Sequence, residues 1–277
     1  MEDITISLLE IARADFIHNM ENDQVIVEML KKIKVGATYE YCGNYAERIG
    51  NALVQAIRDN ITADMLPDGK MYWNIANRVI RPLLEIDYNT ISDAAIQVQQ
   101  LINDSAQIGI KAQRAELNTE RIDGILNKLT SDNYENVRWI LADPIVTFSR
   151  SVVDDTLKAN FDFQGKAGLS PKIVRTAERK CCKWCSSLAG TYSYPGAPDE
   201  VFKRHDYCRC VVEYIASKDK SKLVHSGMEG KRKYVKNSKG NYEITKEARV
   251  TELSKRRERD RKRREEEKRK RMNALTT

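Results

Sequence analysis

Cys182 and Cys185 form a CxxC pair, and His205, Cys208 and Cys210 follow as HxxCxC, so five metal-competent side chains fall within residues 182–210. A divalent zinc ion takes four thiolate or imidazole ligands in a tetrahedron, and a CxxC turn supplies two of them without straining the backbone. The second pair arrives after residues 186–204, a stretch containing Gly190, Pro195, Gly196 and Pro198, which has the composition of a loop that folds back on itself. Five candidates compete for four places, and their spacing excludes none of them. Cys208 and Cys210 lead into the strand-like run Val211, Val212, Glu213, Tyr214, Ile215. In extended backbone their side chains would point to opposite faces, so both can ligate only if the chain turns there. Cys181 would point away from a metal held by its neighbour and reads as structural. Cys42 reads as core, and His18 and His225 as surface or packing histidines.

Cysteines also serve as small buried hydrophobes, redox thiols or disulfides. Residues 1–12 carry Glu2, Asp3 and Glu10 and lack the basic region followed by an apolar core that marks a secretory signal. No stretch approaches the ~18 apolar residues of a membrane span. The expectation is a soluble protein made in a reducing cytoplasm, where zinc is a better use of these thiols than disulfides.

The residues around the cluster carry a resemblance. Thr176, Cys182, Cys185, Leu188 and Gly190, followed by His205, Cys208, Arg209 and Cys210, resemble the C-terminal signature of the phage Mu protein F-like minor head proteins, also called head morphogenesis proteins. In that family a Thr-containing strand leads to CxxC, a Leu-x-Gly turn, a loop with prolines and a His-x-x-Cys-Arg-Cys end. The match covers about 45 residues. Two positions depart from the pattern: Ala189 stands where the family commonly has Asp, and Asp206-Tyr207 replaces Pro-Asn. Neither departure removes a ligand. The resemblance implies a non-enzymatic minor capsid protein that sits in or near the portal inside the head. Its implied partners are portal and capsid or scaffold proteins, and its implied locations are the host cytoplasm during assembly and then the virion.

Upstream of the cluster, apolar residues recur at helical spacing. Ile4, Leu8, Leu9, Ala12, Phe16 and Ile17 make one stripe, and Tyr41, Tyr45, Ile49, Leu53 and Ile57 another after the break at Gly36. Pro67-Asp68-Gly69 signals a turn. Asn89-Thr90 and Asn118-Thr119 read as capped helix starts, and Asp143-Pro144 opens a further helix with proline in its first turn. The glutamine-rich stretch 97–120 has a thin apolar stripe and reads as a helix facing solvent or packing on another subunit.

After residue 215 the composition changes. Residues 216–277 hold 22 Lys and Arg against 10 Asp and Glu, whereas the first 215 hold 25 against 30. All the excess positive charge is therefore in the tail. Residues 231–244 suit a hairpin with Asn237-Ser238-Lys239-Gly240 as its turn. From about Lys246 the chain is almost wholly charged, and Glu265, Glu266 and Glu267 stand four residues before Arg269, Lys270 and Arg271, the favourable order for helical ion pairs. Arg256, Arg257, Arg261, Lys262, Arg263 and Arg264 are the candidate contacts for the phosphates of double-stranded DNA, bound without regard to sequence. Interleaved acids and the lack of a groove-entering motif argue against base readout.

Catalytic motifs are missing. An HNH-type nuclease needs a catalytic histidine beyond those spent on zinc, and a zinc deaminase needs HxE with PCxxC, where this chain has His205-Asp206-Tyr207 and Lys180-Cys181-Cys182. There is no phosphate-binding GxxxxGK[ST] loop, GxSxG elbow or HExxH helix. The expected fold is mainly α: a helical N-terminal body (1–160), a small zinc-stapled α+β module (161–215) and a basic tail with a hairpin and a charged helix (216–277). The alternative to a head protein is a DNA-binding zinc protein of a phage or mobile element that is not part of the particle.

Overall fold

The computed structural model describes residues 3–179 and 181–216, with the backbone of two short strands at 234–236 and 242–244. The chain divides into two units between residues 224 and 225. The fold class expected from the sequence is the one observed: a mainly helical body, a small antiparallel sheet and a Cys/His cluster.

Short polar side chains start the first helices. Asp3 accepts from the Thr5 N–H to open α1 (Ile4–Asn22), and Asp23 closes α1 and caps α2 (Gln24–Gly36) by accepting from Val25 and Ile26. Gly36, at φ 130°, ends α2 in a conformation other residues avoid. Thr38 then accepts from Tyr41 N–H to start α3 (Tyr39–Asn60). Asn118 caps α5 (Thr119–Leu129) as expected, a short α6 (Tyr134–Val137) follows, and α7 (Asp143–Lys166) carries Pro144 in its first turn.

The expected start at Asn89-Thr90 is overturned. Both residues lie inside α4 (Trp73–Ser105), a single 33-residue helix that also contains Pro82. Thr90 Oγ1 donates to the Ile86 carbonyl one turn back, so its hydroxyl is satisfied within the helix and caps nothing.

α3 and α7 form the centre of the body. They approach closely at Gly50, where a Cβ would lie 2.5 Å from Ser149 Oγ, so a larger residue would push the helices apart. Leu53, Ile57, Leu83, Leu84, Phe148 and Leu157 are fully buried around this contact. Each such side chain contributes roughly 1.5–3 kcal/mol.

The single helix expected over 97–120, facing solvent or another subunit, is not what forms. α4 ends at Ser105, and Gln99 and Asn103 are fully buried. Tyr39 Oη donates to Gln99 Oε1 (2.6 Å), and Gln99 Nε2 and Gln164 Nε2 both donate to Asn103 Oδ1 (2.8 Å each). Tyr214 Oη completes the chain by donating to Gln164 Oε1 (2.6 Å). Amides that look solvent-seeking in a hydropathy pattern satisfy one another in the interior.

The sheet has the order β2-β1-β3, all antiparallel, with β1 (Lys172–Thr176) between β2 (Gly190–Ser193) and β3 (Val211–Ile215). Ile173 sits opposite Tyr192 on one side and Tyr214 on the other. The sequence divides body from module after residue 160, but α7 continues to Lys166 and the core runs on without a break. Ile173, Val201, Phe202, Val212 and Tyr214 belong to the same apolar cluster as the helices. Phe161 packs on the Tyr194 and Phe202 rings at 5.6 and 5.9 Å. Gly165 leaves the space that the Tyr194 ring fills. Glu213 on β3 accepts from the Glu40 N–H (2.9 Å) at the start of α3, a second tie between sheet and body.

β4 (Tyr234–Lys236) and β5 (Tyr242–Ile244) pair antiparallel as the hairpin reading expects, with Tyr234 opposite Ile244. Their connecting turn, the charged tail with Arg256, Arg257, Arg261, Lys262, Arg263 and Arg264, and His225 lie outside the described residues. Among the described residues no helix is long and apolar enough to cross a membrane.

Asp87 gives the body a pH dependence of definite sign. It is fully buried, one oxygen accepts from Ser149 Oγ (2.9 Å), and the other has no partner among the described residues. Burial pushes its carboxyl up to about 8. A carboxyl raised in the folded state contributes stability that is fully present below its unfolded value of ~3.9 and is lost as pH rises through the folded one. Stability should therefore fall between about pH 4 and pH 8. Asp87→Asn should flatten this slope and stabilise the chain at pH 8, which melting curves across that range would measure. An unchanged slope would show that Asp87 does not titrate there.

Candidate metal centre

Two segments supply the cluster. The N-cap of α8 (Lys183–Ser187) is Cys182, whose Sγ accepts from the Cys185 N–H (3.4 Å), so the CxxC pair is the first turn of a helix. A turn at residues 205–208, closed by Cys208 N–H to the His205 carbonyl (3.1 Å), brings the second group back. β3 begins only at Val211, so Cys208 and Cys210 precede the regular strand. The turn that the sequence left open is present, and both sulfurs join Cys185 in one group.

The ligand atoms form two triads that share Cys185: Cys182, Cys185 and His205, and Cys185, Cys208 and Cys210. His205 Nε2 lies 3.3 Å from Cys182 Sγ and 3.1 Å from Cys185 Sγ, and Cys185 Sγ lies 3.6 Å from Cys208 Sγ. Sulfurs bound to one zinc at ~2.3 Å in a tetrahedron sit roughly 3.8 Å apart, so the Cys185–Cys208 pair already has the spacing of two ligands on one metal. His205 Nδ1 donates to the Asp206 carbonyl (2.6 Å), because a carbonyl only accepts. The Nε2 lone pair is thereby aimed at the sulfurs, the arrangement that fixes a metal-binding histidine.

Burial divides the ligand set. Cys185, Cys208 and Cys210 are buried, whereas Cys182 and His205 are exposed. Burial pushes the Cys185 thiol up to about 11, and a hydrogen bond with Cys210 together with burial pushes Cys208 up to about 12. The Cys185 N–H draws Cys182 below its ordinary value. Binding a cation here releases thiol protons, so the affinity of the cluster falls with acidity.

Two buried arginines hold the cluster, and the sequence reading gave neither of them a role. Arg175, on β1 and 2% exposed, donates from one terminal nitrogen to the Lys203 carbonyl (3.1 Å) and to the Val201 carbonyl, and from the other to Cys185 and Cys208 Sγ (3.8 Å each). Its charge would offset that of the thiolates formed when a cation binds. Arg204 pairs through both Nε and Nη2 with Asp154 of α7, the second contact at 2.9 Å, and donates from Nη1 to the Cys210 carbonyl (2.7 Å). The only sequence signal was a charged residue following Ile173 and Val174, for Arg175, and one abutting HxxCxC, for Arg204. Asp154 carried none.

Cys181 borders the cluster and Cys42 is fully buried in the helical core, as expected. His18 lies by the end of α1, where Asn22 Nδ2 contacts its Nδ1 (3.0 Å). The cluster defines a protein with a Cys/His site able to hold a metal ion. No family model, no curated protein and no solved structure matches the chain.

Proposed function

We propose that this chain is a minor head protein of a tailed phage: a structural, non-catalytic component in or near the portal, with one zinc ion fastening its C-terminal sheet. The observation that carries this reading is the convergence of CxxC and HxxCxC on the shared Cys185, in a chain whose flanking Thr176, Leu188, Gly190 and Arg209 also match the head-protein signature. Four protein ligands drawn from these five would fill the coordination sphere of zinc and leave no place for substrate, which is how structural sites differ from catalytic ones. The buried Arg175 favours the thiolate form such a site needs. The basic tail would touch packaged double-stranded DNA.

The head assignment is tested in the phage that encodes the chain. The protein should appear in procapsids and mature particles by mass spectrometry and co-purify with portal, and its deletion should impair infectivity more than shell assembly. Absence from both particles would overturn the assignment and favour the free DNA-binding zinc protein. The tail contact has its own test. Affinity for random duplex should fall on the order of a hundredfold or more between about 50 and about 200 mM salt, and removal of residues 246–277 should abolish it. Equal binding by the truncated chain would refute the tail as the duplex contact.

A further inference from the structure

Two exposed aromatic residues, Trp184 and Tyr207, stand beside ligands of the Cys/His cluster, with cations in the same segments. Tyr207 is 79% exposed, the most exposed aromatic side chain among the described residues. Its φ of 59° lies in the left-handed region, which a bulky residue rarely occupies. The turn pins it there: the Cys208 N–H closes on His205 (3.1 Å), and the Tyr207 N–H donates to Asp143 Oδ2 on α7 (2.6 Å). The ring is thus held out into solvent on a rigid support. Trp184 is 38% exposed, and its ring meets the His205 ring edge-on at 5.7 Å. Lys183 and Trp184 lie between the two cysteines of CxxC, and Tyr207 and Arg209 flank Cys208, so the cluster that gathers the sulfurs gathers these four as well. Lys183 is exposed with them, as are Lys203, which pairs with Glu200 (3.4 Å), and Arg209, which pairs with Glu47 (3.5 Å) at an exposed contact that a phosphate can replace; the acids in the same segments are Glu178 and Asp206.

Aromatic rings beside cations on a rigid support suit unpaired bases, which stack on the rings while the backbone phosphates meet the cations. A duplex hides its base faces and gains only the cationic contacts. We propose that this face binds single-stranded nucleic acid, with bases stacked on Trp184 and Tyr207 and phosphates held by Lys183 and Arg209. The site is separate from the duplex contact assigned to the tail and does not depend on the head assignment.

The test uses the full-length, metal-loaded chain and fluorescence anisotropy with a labelled oligothymidylate and a labelled duplex of equal length. Tyr207→Asn is the informative variant, because asparagine accepts the left-handed conformation and leaves the turn intact. It should bind oligothymidylate about tenfold more weakly while duplex binding, carried by the tail, stays unchanged. Tyr207→Phe, which keeps the ring, should bind like the parent. Unchanged oligothymidylate affinity in Tyr207→Asn, or an equal loss toward both probes, would overturn the proposal. The first of these outcomes would leave the face to an acidic protein surface.

Discussion

Purified under mild conditions, the chain should carry about one zinc ion per molecule, and replacing Cys185 by serine should abolish retention of the ion. Cys185 is the residue to change because it is buried and belongs to both triads: leaving it out of the four ligands breaks both, whereas leaving out any other donor keeps one triad whole. Metal binding to such a site is folding free energy, on the order of 10 kcal/mol or more in small zinc modules. The loss should not stay within the sheet. Ile173, Phe202, Val212 and Tyr214 share the core of the helical body, and Glu213 closes the first turn of α3. Chelation should therefore lower the melting temperature of the whole described unit, read by far-ultraviolet circular dichroism and elemental analysis on the same sample. A metal-free chain that melts with the metal-loaded one would refute a structural ion.

Asp154→Ala should destabilise the fold by about 3–5 kcal/mol, the usual consequence of stranding one member of a buried ion pair. The side chains of Arg204 and Asp154 are 4% and 2% exposed, so neither charge could turn to water. The same change should loosen the cluster. Arg204 holds the Cys210 carbonyl at 2.7 Å and so sets the path of the backbone that carries Cys208 and Cys210. Removing a partner of this kind typically weakens metal affinity 10- to 100-fold. Urea denaturation reads the first effect, and competition with a chromophoric chelator the second. Normal stability in Asp154→Ala would mean that Arg204 finds another partner, and normal metal affinity would mean that the backbone path is set elsewhere.

Much of the candidate site was legible in the chain because ligand chemistry is written in residue type and spacing. CxxC and HxxCxC named all five donors, and the helical stripes through Phe16 and Leu53 marked residues that are buried. Cap chemistry located the start of α5 because a cap is a local hydrogen bond, and a proline in the first turn located that of α7. At Asn89-Thr90 the same local signal misled, since the hydroxyl bonds equally well inside a continuous helix. The glutamines of 97–120 misled for the opposite reason. Hydropathy prices an amide as though it faced water, and Gln99 and Asn103 face each other and Gln164 instead.

By itself, then, the sequence determined the fold class, the donor set of the cluster and the concentration of positive charge after residue 215. These depend on composition, period and short spacing, all properties of neighbours along the chain. Only the tertiary structure decided that the sheet and the helices share one core, that the chain turns before β3 so that Cys208 and Cys210 face the same cluster, and that Arg175, Arg204 and Asp154 hold it in place. Arg204 and Asp154 are 50 residues apart. A pair at that separation leaves no periodic trace in the sequence, and its energy exists only where folding has brought both charges together and removed the water between them.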